Sequence, residues 1–179
     1  MHDAEYVEGV LRDRIRWVLD GVNPSYFGPE NALLKYGKRM DVVVDRPLRI
    51  PEGLRRECYG NCVKALLSKQ ADDDLFYAEG YAIGRGGPWI LVQHAWLVDQ
   101  HGRVIDPTWE DAADNAYFGV VFRRRFVCDM LEKAQMEPGI LSAPVLMCRH
   151  FGSPTLFEAA MEPRFHRDSE LPKVRVQMA

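Results

Sequence analysis

Residues 89–109 read WILVQHAWLVDQHGRVIDPTW, and the way their two apolar runs pair decides the architecture. The runs Trp89–Asp99 and Arg103–Thr108 flank a spacer of Gln100, His101 and Gly102. That pattern predicts an antiparallel hairpin with a three-residue loop, Gly102 taking the left-handed position such loops favour. In this register Asp99 faces Arg103, Trp96 faces Asp106 and His94 faces Thr108. His94 and Asp106 become diagonal neighbours on one face, at a Cα separation of about 7–8 Å that side chains bridge. A two-residue loop would move Asp106 to the other face.

Upstream, Leu75–Ile83 (LFYAEGYAI) reads as another strand, divided from the hairpin by Gly84–Pro88. Alternation puts Tyr77, Glu79 and Tyr81 on one face, with Glu79 expected toward solvent. Ala78, Gly80 and Ala82 fall on the other, where small side chains would admit a helix. The stretch Cys58–Gln70 supplies that helix, with Val63, Leu66 and Leu67 inward. Residues 5–20 place Val7, Val10, Leu11, Ile15, Val18 and Leu19 near a 3.6 period and predict an amphipathic helix ending at Gly21. Asn23–Asn31 reads as a loop, Met40–Val44 as a strand, and Arg46–Gly53, with Pro47 and Pro51, as a loop. Downstream, Tyr117–Phe126 predicts a strand, Val127–Gln135 a short helix and Ser153–Met161 another, while residues 164–179 are expected to be loosely held. Helix, strand, helix and then an antiparallel sheet is an α+β order.

The chain has 179 residues, which fits a single domain, 1–179. With 47% apolar and 27% charged residues it has the balance of a globular protein. Lys+Arg 23 against Asp+Glu 26 leaves a net charge of −3, with no footprint for nucleic acid. No apolar run approaches the ~20 residues needed to span a bilayer. The acidic start MHDAEYVEGVLRD lacks signal-peptide character, so a cytoplasmic location without membrane attachment is expected. There the cysteines, at 58, 62, 128 and 148, should be free thiols. Arg123, Arg124 and Arg125 form a basic cluster near Asp111, Asp114 and Asp129, and read as solvated surface.

Three residue types suited to nucleophilic acyl chemistry then occur in order: Cys58 opening a helix, His94 on a strand and Asp106 on the next. A cysteine in the first helical turn meets the positive end of the helix dipole and its orphan N–H groups, which favour a thiolate. The same N–H groups suit a developing oxyanion, the backbone N–H of Cys58 first, with side-chain amides of Asn61 or Gln93 as weaker candidates. Trp96 and Trp109 lie close enough to wall the site from water. A zinc site of Cys58, Cys62, His94 and Asp106 competes, although Cys-x₃-Cys on a helix is an unusual ligand spacing.

The blocks Glu57-Cys58-Tyr59-Gly60-Asn61-Cys62, Gln93-His94-Ala95-Trp96 and Val104-Ile105-Asp106-Pro107-Thr108-Trp109 resemble the Cys, His-Ala-Trp and Asp-Pro-Thr blocks of transglutaminase-like proteins, within the wider papain-like group. The resemblance runs from Glu57 to Trp109, under a third of the chain. It implies an antiparallel sheet packed against the cysteine helix, with a catalytic core over residues 57–126. It implies Cys58 as nucleophile, His94 as general base and Asp106 as the group that orients it, with Tyr59, Asn61, Gln93, Trp96 and Trp109 toward substrate. Cys62 stands where the family has a small or apolar residue, so both thiols remain candidates for the nucleophile. Residues 1–50 are a candidate cover for the cleft. The chemistry implied is hydrolysis of a peptide or amide, or acyl transfer or deamidation, on a peptide, protein or amide-containing small molecule, with no cofactor. An inactive relative that binds a protein partner is the alternative.

Overall fold

The computed structural model describes residues 4–19, 28–40, 43–68, 74–84, 91–134 and 139–166. The elements in chain order are α1 (Ala4–Leu19), α2 (Pro29–Tyr36), β1 (Lys38–Met40), α3 (Cys58–Leu67), β2 (Phe76–Gly84), β3 (Leu91–Val98), β4 (Val104–Ile105), β5 (Asn115–Phe122), α4 (Arg124–Ala134), α5 (Pro144–Phe151), α6 (Pro154–Ala160) and α7 (Pro163–His166). The strands make one sheet in the order β1-β5-β2-β3-β4, every pairing antiparallel. The fold class is α+β, as the element order predicts.

The hairpin has the expected register as far as it runs. Leu97 faces Ile105, Val98 faces Val104, and the Asp99 N–H donates to the Arg103 carbonyl at 3.0 Å. Gly102 has φ 81°, the left-handed position of a three-residue loop. The strand stops at Ile105, however, so Asp106 and Thr108 leave the ladder and do not pair with Trp96 and His94.

Both faces of the sheet are covered. One carries Tyr77, Leu97, Phe118, Val120 and Phe122, and packs against Leu11 and Ile15 of α1, Leu33 of α2, Leu66 of α3 and residues of α4, α5 and α6. The other is a smaller cluster of Trp96, Tyr117, Phe76, Val98 and Met40, with Phe165 of α7 laid over it. Two expectations about β2 are corrected by this arrangement. Glu79 is buried, because β2 is a central strand with helices over the face it occupies. The cysteine helix also sits on the Tyr77 face and not on the Ala78–Ala82 face. The small residues there admit side chains instead: a Cβ on neighbouring Gly119 would come within 2.6 Å of the Trp96 ring.

Helix α3 buries Cys58, Cys62, Ala65 and Leu66, a stripe at helical spacing, while Leu67 is 51% exposed and Val63 half-buried. Leu66 is inward as expected and Val63 packs at the margin of the core, so only Leu67 is corrected. Of the strand expected over Met40–Val44, Met40 lies in β1 and Val43 forms an isolated bridge to Val104, while Asp41 and Val42 lie outside the described residues. β5 ends at Phe122, with Phe126 already inside α4. Arg123 and Arg124 are not simply solvated: Arg123 Nε donates to the Met161 carbonyl at 3.0 Å and an Arg124 guanidinium nitrogen to the Leu66 carbonyl at 2.6 Å. The start of the expected loose tail is held, since Phe165 packs edge-on against Phe76 and His166 Nε2 accepts from the Val121 N–H at 2.8 Å. The Gly21 helix stop, most of the Asn23–Asn31 and Gly84–Pro88 loops, Gln70, Gln135 and residues 167–179 lie outside the described residues. Among those described, no helix is long and apolar enough to cross a membrane.

Candidate active site

Cys58, His94 and Asp106 meet at the edge of the sheet where β4 ends. His94 Nε2 lies 2.7 Å from Asp106 Oδ2, and both side chains are buried. The Cys58 thiol is within hydrogen-bonding reach of the same ring. Nε2 is engaged by the carboxylate, so Nδ1 is the nitrogen left for the thiol. Trp109 stacks on the imidazole at 4.2 Å between centroids and 16° between planes, which fixes the ring's orientation.

Asp106 is well supplied with donors. Its Oδ1 accepts from the backbone N–H groups of Thr108 at 2.7 Å and Trp109 at 3.2 Å, and its Oδ2 accepts from Tyr117 Oη at 2.8 Å besides His94. Burial pushes this carboxyl up, but His94 and the other donors outweigh it and hold Asp106 below the usual carboxylate range. Burial likewise disfavours a charged imidazole. Hydrogen bonds to Asp106 and Cys58, with the charges behind them, win and raise His94 to about 9. The ring is therefore protonated at neutral pH and able to hold a thiolate.

The backbone around Cys58 leaves donors free for chemistry. Glu57 occupies the N-cap of α3 without bonding a first-turn N–H through its side chain. The first helical bond runs from the Asn61 N–H to the Glu57 carbonyl at 2.8 Å. Among the described residues, the N–H groups of Cys58, Tyr59 and Gly60 have no acceptor. Just before the helix, Arg56 adopts φ 68°, a strained conformation for a residue with a side chain.

The remaining residues singled out from the sequence separate into two groups. Trp109 lies on the His94 ring, and Tyr59, next to Cys58 in sequence, is half-buried; Gln93 is exposed and faces the helix-covered side of β3 with Tyr81, away from the His94 ring. Asn61 and Trp96 instead belong to the framework. Both Nδ2 protons of Asn61 are engaged, by the Leu54 carbonyl at 2.8 Å and Thr108 Oγ1 at 3.0 Å, and its Oδ1 accepts from the Leu54 N–H at 3.0 Å. No proton is left for an oxyanion. Asn61 ties three segments together: the cysteine helix, the loop before it and the loop that carries Asp106. Trp96 is fully buried with its Nε1 donating to Met40 Sδ at 3.1 Å, on the side of the sheet away from α3. Cys62 is fully buried one turn below Cys58, and burial pushes its thiol well up. Among the described residues no group of three or more His, Cys, Asp or Glu side chains is placed to hold a metal ion, which removes the four-ligand zinc arrangement.

No family model matches the chain, and no curated protein or solved structure does either. The site must therefore be read from its own geometry.

Two contributors escape a sequence reading. Tyr117 reaches Asp106 only because β5 pairs with β2, bringing Tyr117 opposite Ala82 on the face that carries His94. Glu79 sits on the helix-covered face and accepts from Tyr77 Oη at 2.9 Å and from the N–H groups of Ile140 at 2.6 Å and Ser142 at 2.8 Å. It pins the turn between α4 and α5 to the middle of the sheet, beside Tyr59.

Proposed function

We propose that the chain is a transglutaminase-like cysteine enzyme that acts on an amide or ester carbonyl through a covalent acyl-enzyme, with hydrolysis of a peptide or amide bond as the outcome. The observation that carries the reading is the buried Asp106–His94 pair at 2.7 Å, with Cys58, at an uncapped helix N-terminus, within hydrogen-bonding reach of the same imidazole. Asp106 fixes the ring, and His94 carries, as an imidazolium, the proton that Cys58 gives up. The sulfur attacks the carbonyl carbon, and the oxyanion that forms is met by first-turn N–H groups of α3, that of Cys58 among them. His94 returns the proton to the leaving amine as the C–N bond breaks, which leaves a thioester. Water then adds to the thioester while His94 accepts its proton, and the acid and the free thiol are released. A cytoplasmic, reducing setting suits a mechanism that needs a free thiol.

Alkylation by iodoacetamide at pH 6, mapped to each cysteine by mass spectrometry, tests this reading. Cys58 should react at least tenfold faster than the exposed Cys148 despite its burial, and His94→Ala should abolish that advantage. Slow labelling of Cys58 that His94→Ala does not alter would overturn the enzyme reading in favour of an inactive module that binds a protein partner.

A further inference from the structure

The cysteine helix and the His94 ring lie on opposite sides of the sheet. Helix α3 packs on the face that carries Tyr77 and Leu97, whereas the ring lies among Trp96, Trp109 and Tyr117 on the other. The Cys58 thiol nevertheless reaches that ring, so the two meet around an edge of the sheet. That edge belongs to β3, beyond the point where β4 stops.

Hydrogen-bond parity shows which backbone groups the edge presents. The Asp99 N–H donates to the Arg103 carbonyl at 3.0 Å, and Val104 turns its carbonyl the other way, to the Val44 N–H at 3.0 Å. Odd-numbered residues of β3 therefore direct their N–H and C=O groups toward β4, and even-numbered ones toward β2. Carried on from the Leu97–Ile105 pair, the register sets Pro107 opposite Ala95. Proline has no N–H to give, and the Pro107 carbonyl accepts instead from the Gly53 N–H at 2.8 Å. The ladder ends there. Leu91 and Gln93 point their N–H and C=O groups along the same side, and among the described residues none of these four groups has a partner. Leu91 and Val92 are half-buried and Gln93 is exposed, so the edge is reachable up to buried His94. Leu91, Val92 and Gln93 include neither a charge nor a proline, two devices by which proteins guard an open strand. Two donors and two acceptors at a two-residue repeat, about 6.6 Å, match an extended polypeptide, whereas a compact amide has no such repeat.

We propose that the β3 edge at Leu91 and Gln93 takes up the substrate as an added strand, so that the substrate is an extended polypeptide whose attacked carbonyl lies just past the paired residues, at Cys58. The proposal rests on the acyl-enzyme reading and selects a polypeptide among the substrates it allows. A peptidyl α-ketoamide with three alanines on each side of the ketone tests it, together with analogues carrying one N-methyl group on each backbone nitrogen in turn. Binding is read as protection of Cys58 from iodoacetamide. On one side of the ketone, N-methylation is expected to weaken protection about tenfold at alternate residues and to spare those between, because only alternate N–H groups face β3. Gln93→Pro removes an outward N–H without touching the pairing to β2 and is expected to weaken the unmodified probe about tenfold, while Gln93→Ala, which keeps that N–H, binds as the wild type does. If the proline also abolishes the dependence of labelling on His94, the N-methyl pattern in the wild type decides alone. Methylation that is tolerated everywhere, or equally costly everywhere, would overturn the added strand, as would undiminished binding by Gln93→Pro. A dimer in sedimentation that Gln93→Pro dissolves would give the edge to a second copy instead. Absence of protection by any ketoamide, with labelling still dependent on His94, overturns the strand pairing and leaves the catalytic pair standing. Labelling that does not depend on His94 overturns the catalytic reading and the strand pairing with it.

Discussion

Asp106 has four hydrogen bonds, two to backbone N–H groups through Oδ1 and two to His94 and Tyr117 through Oδ2. The backbone pair orients the carboxylate, and the side-chain pair transmits that orientation to the imidazole. Asp106→Asn cannot reproduce this, because its –NH₂ must face a donor on one side or the other. Acylation of Cys58 by a substrate-like probe is expected to slow by roughly 10³–10⁴-fold in Asp106→Asn, the range seen when an orienting carboxylate is neutralised. Tyr117→Phe removes one of the four donors and should reduce stability by about 1 kcal/mol, with a far smaller loss of rate. A denaturant titration alongside the kinetics separates the two. His94 and Asp106 were legible because they lie on one local hairpin whose loop length is written in Gln100-His101-Gly102. Tyr117 and the Thr108 hydroxyl were not, since their places depend on strand pairing and packing between segments distant in sequence.

Among the elements, α3 does two jobs: its N-terminus serves the chemistry and its second turn holds the site together. Asn61 bonds the preceding loop and Thr108, whose own N–H donates to Asp106, so one side chain couples the cysteine helix to the aspartate loop. Asn61→Ala leaves the Leu54 N–H and carbonyl without that partner, and is expected to lower stability by about 2–3 kcal/mol in urea unfolding. Cys58 alkylation should lose its dependence on His94 in the same variant, because helix and loop are no longer in register. Element boundaries were less legible than element types. Pro29 sits in a segment rich in turn residues, yet a proline in the first turn also starts a helix, and α2 begins there. Arg124–Phe126 continues an apparently strand-like run, but the chain turns into α4 once β5 reaches the sheet's end. For Glu79 the alternation was correct and the environment was not, because β2 is central and neither of its faces meets solvent.

For the whole molecule, a buried histidine, His94, and a half-buried one, His166, shift in opposite directions, and their effects on stability bracket neutral pH. His94 is raised to about 9 in the fold, above the ordinary ~6.5. Its contribution is complete below pH ~6.5 and is lost as pH rises through about 9, an effect on the order of 3 kcal/mol. His166 is held down to about 4 by burial and by Lys38, while its Nε2 accepts from Val121. Its contribution is present above pH ~6.5 and fades as pH falls toward 4. Urea midpoints are therefore expected to peak near pH 6.5 and decline on both sides, with His94→Gln removing most of the alkaline decline. The strand order β1-β5-β2-β3-β4 also has a consequence for how the chain is made. During synthesis β2, β3 and β4 emerge in succession and zip together locally, which places His94 against Asp106 early. β1 has no such neighbour: Lys38 pairs with Gly119, and nearly half the chain separates them. Until the ribosome has delivered β5, β1 has no strand to pair with and α1 and α2 lack the sheet face they cover, so the nascent amino-terminal third is the segment most in need of protection from aggregation.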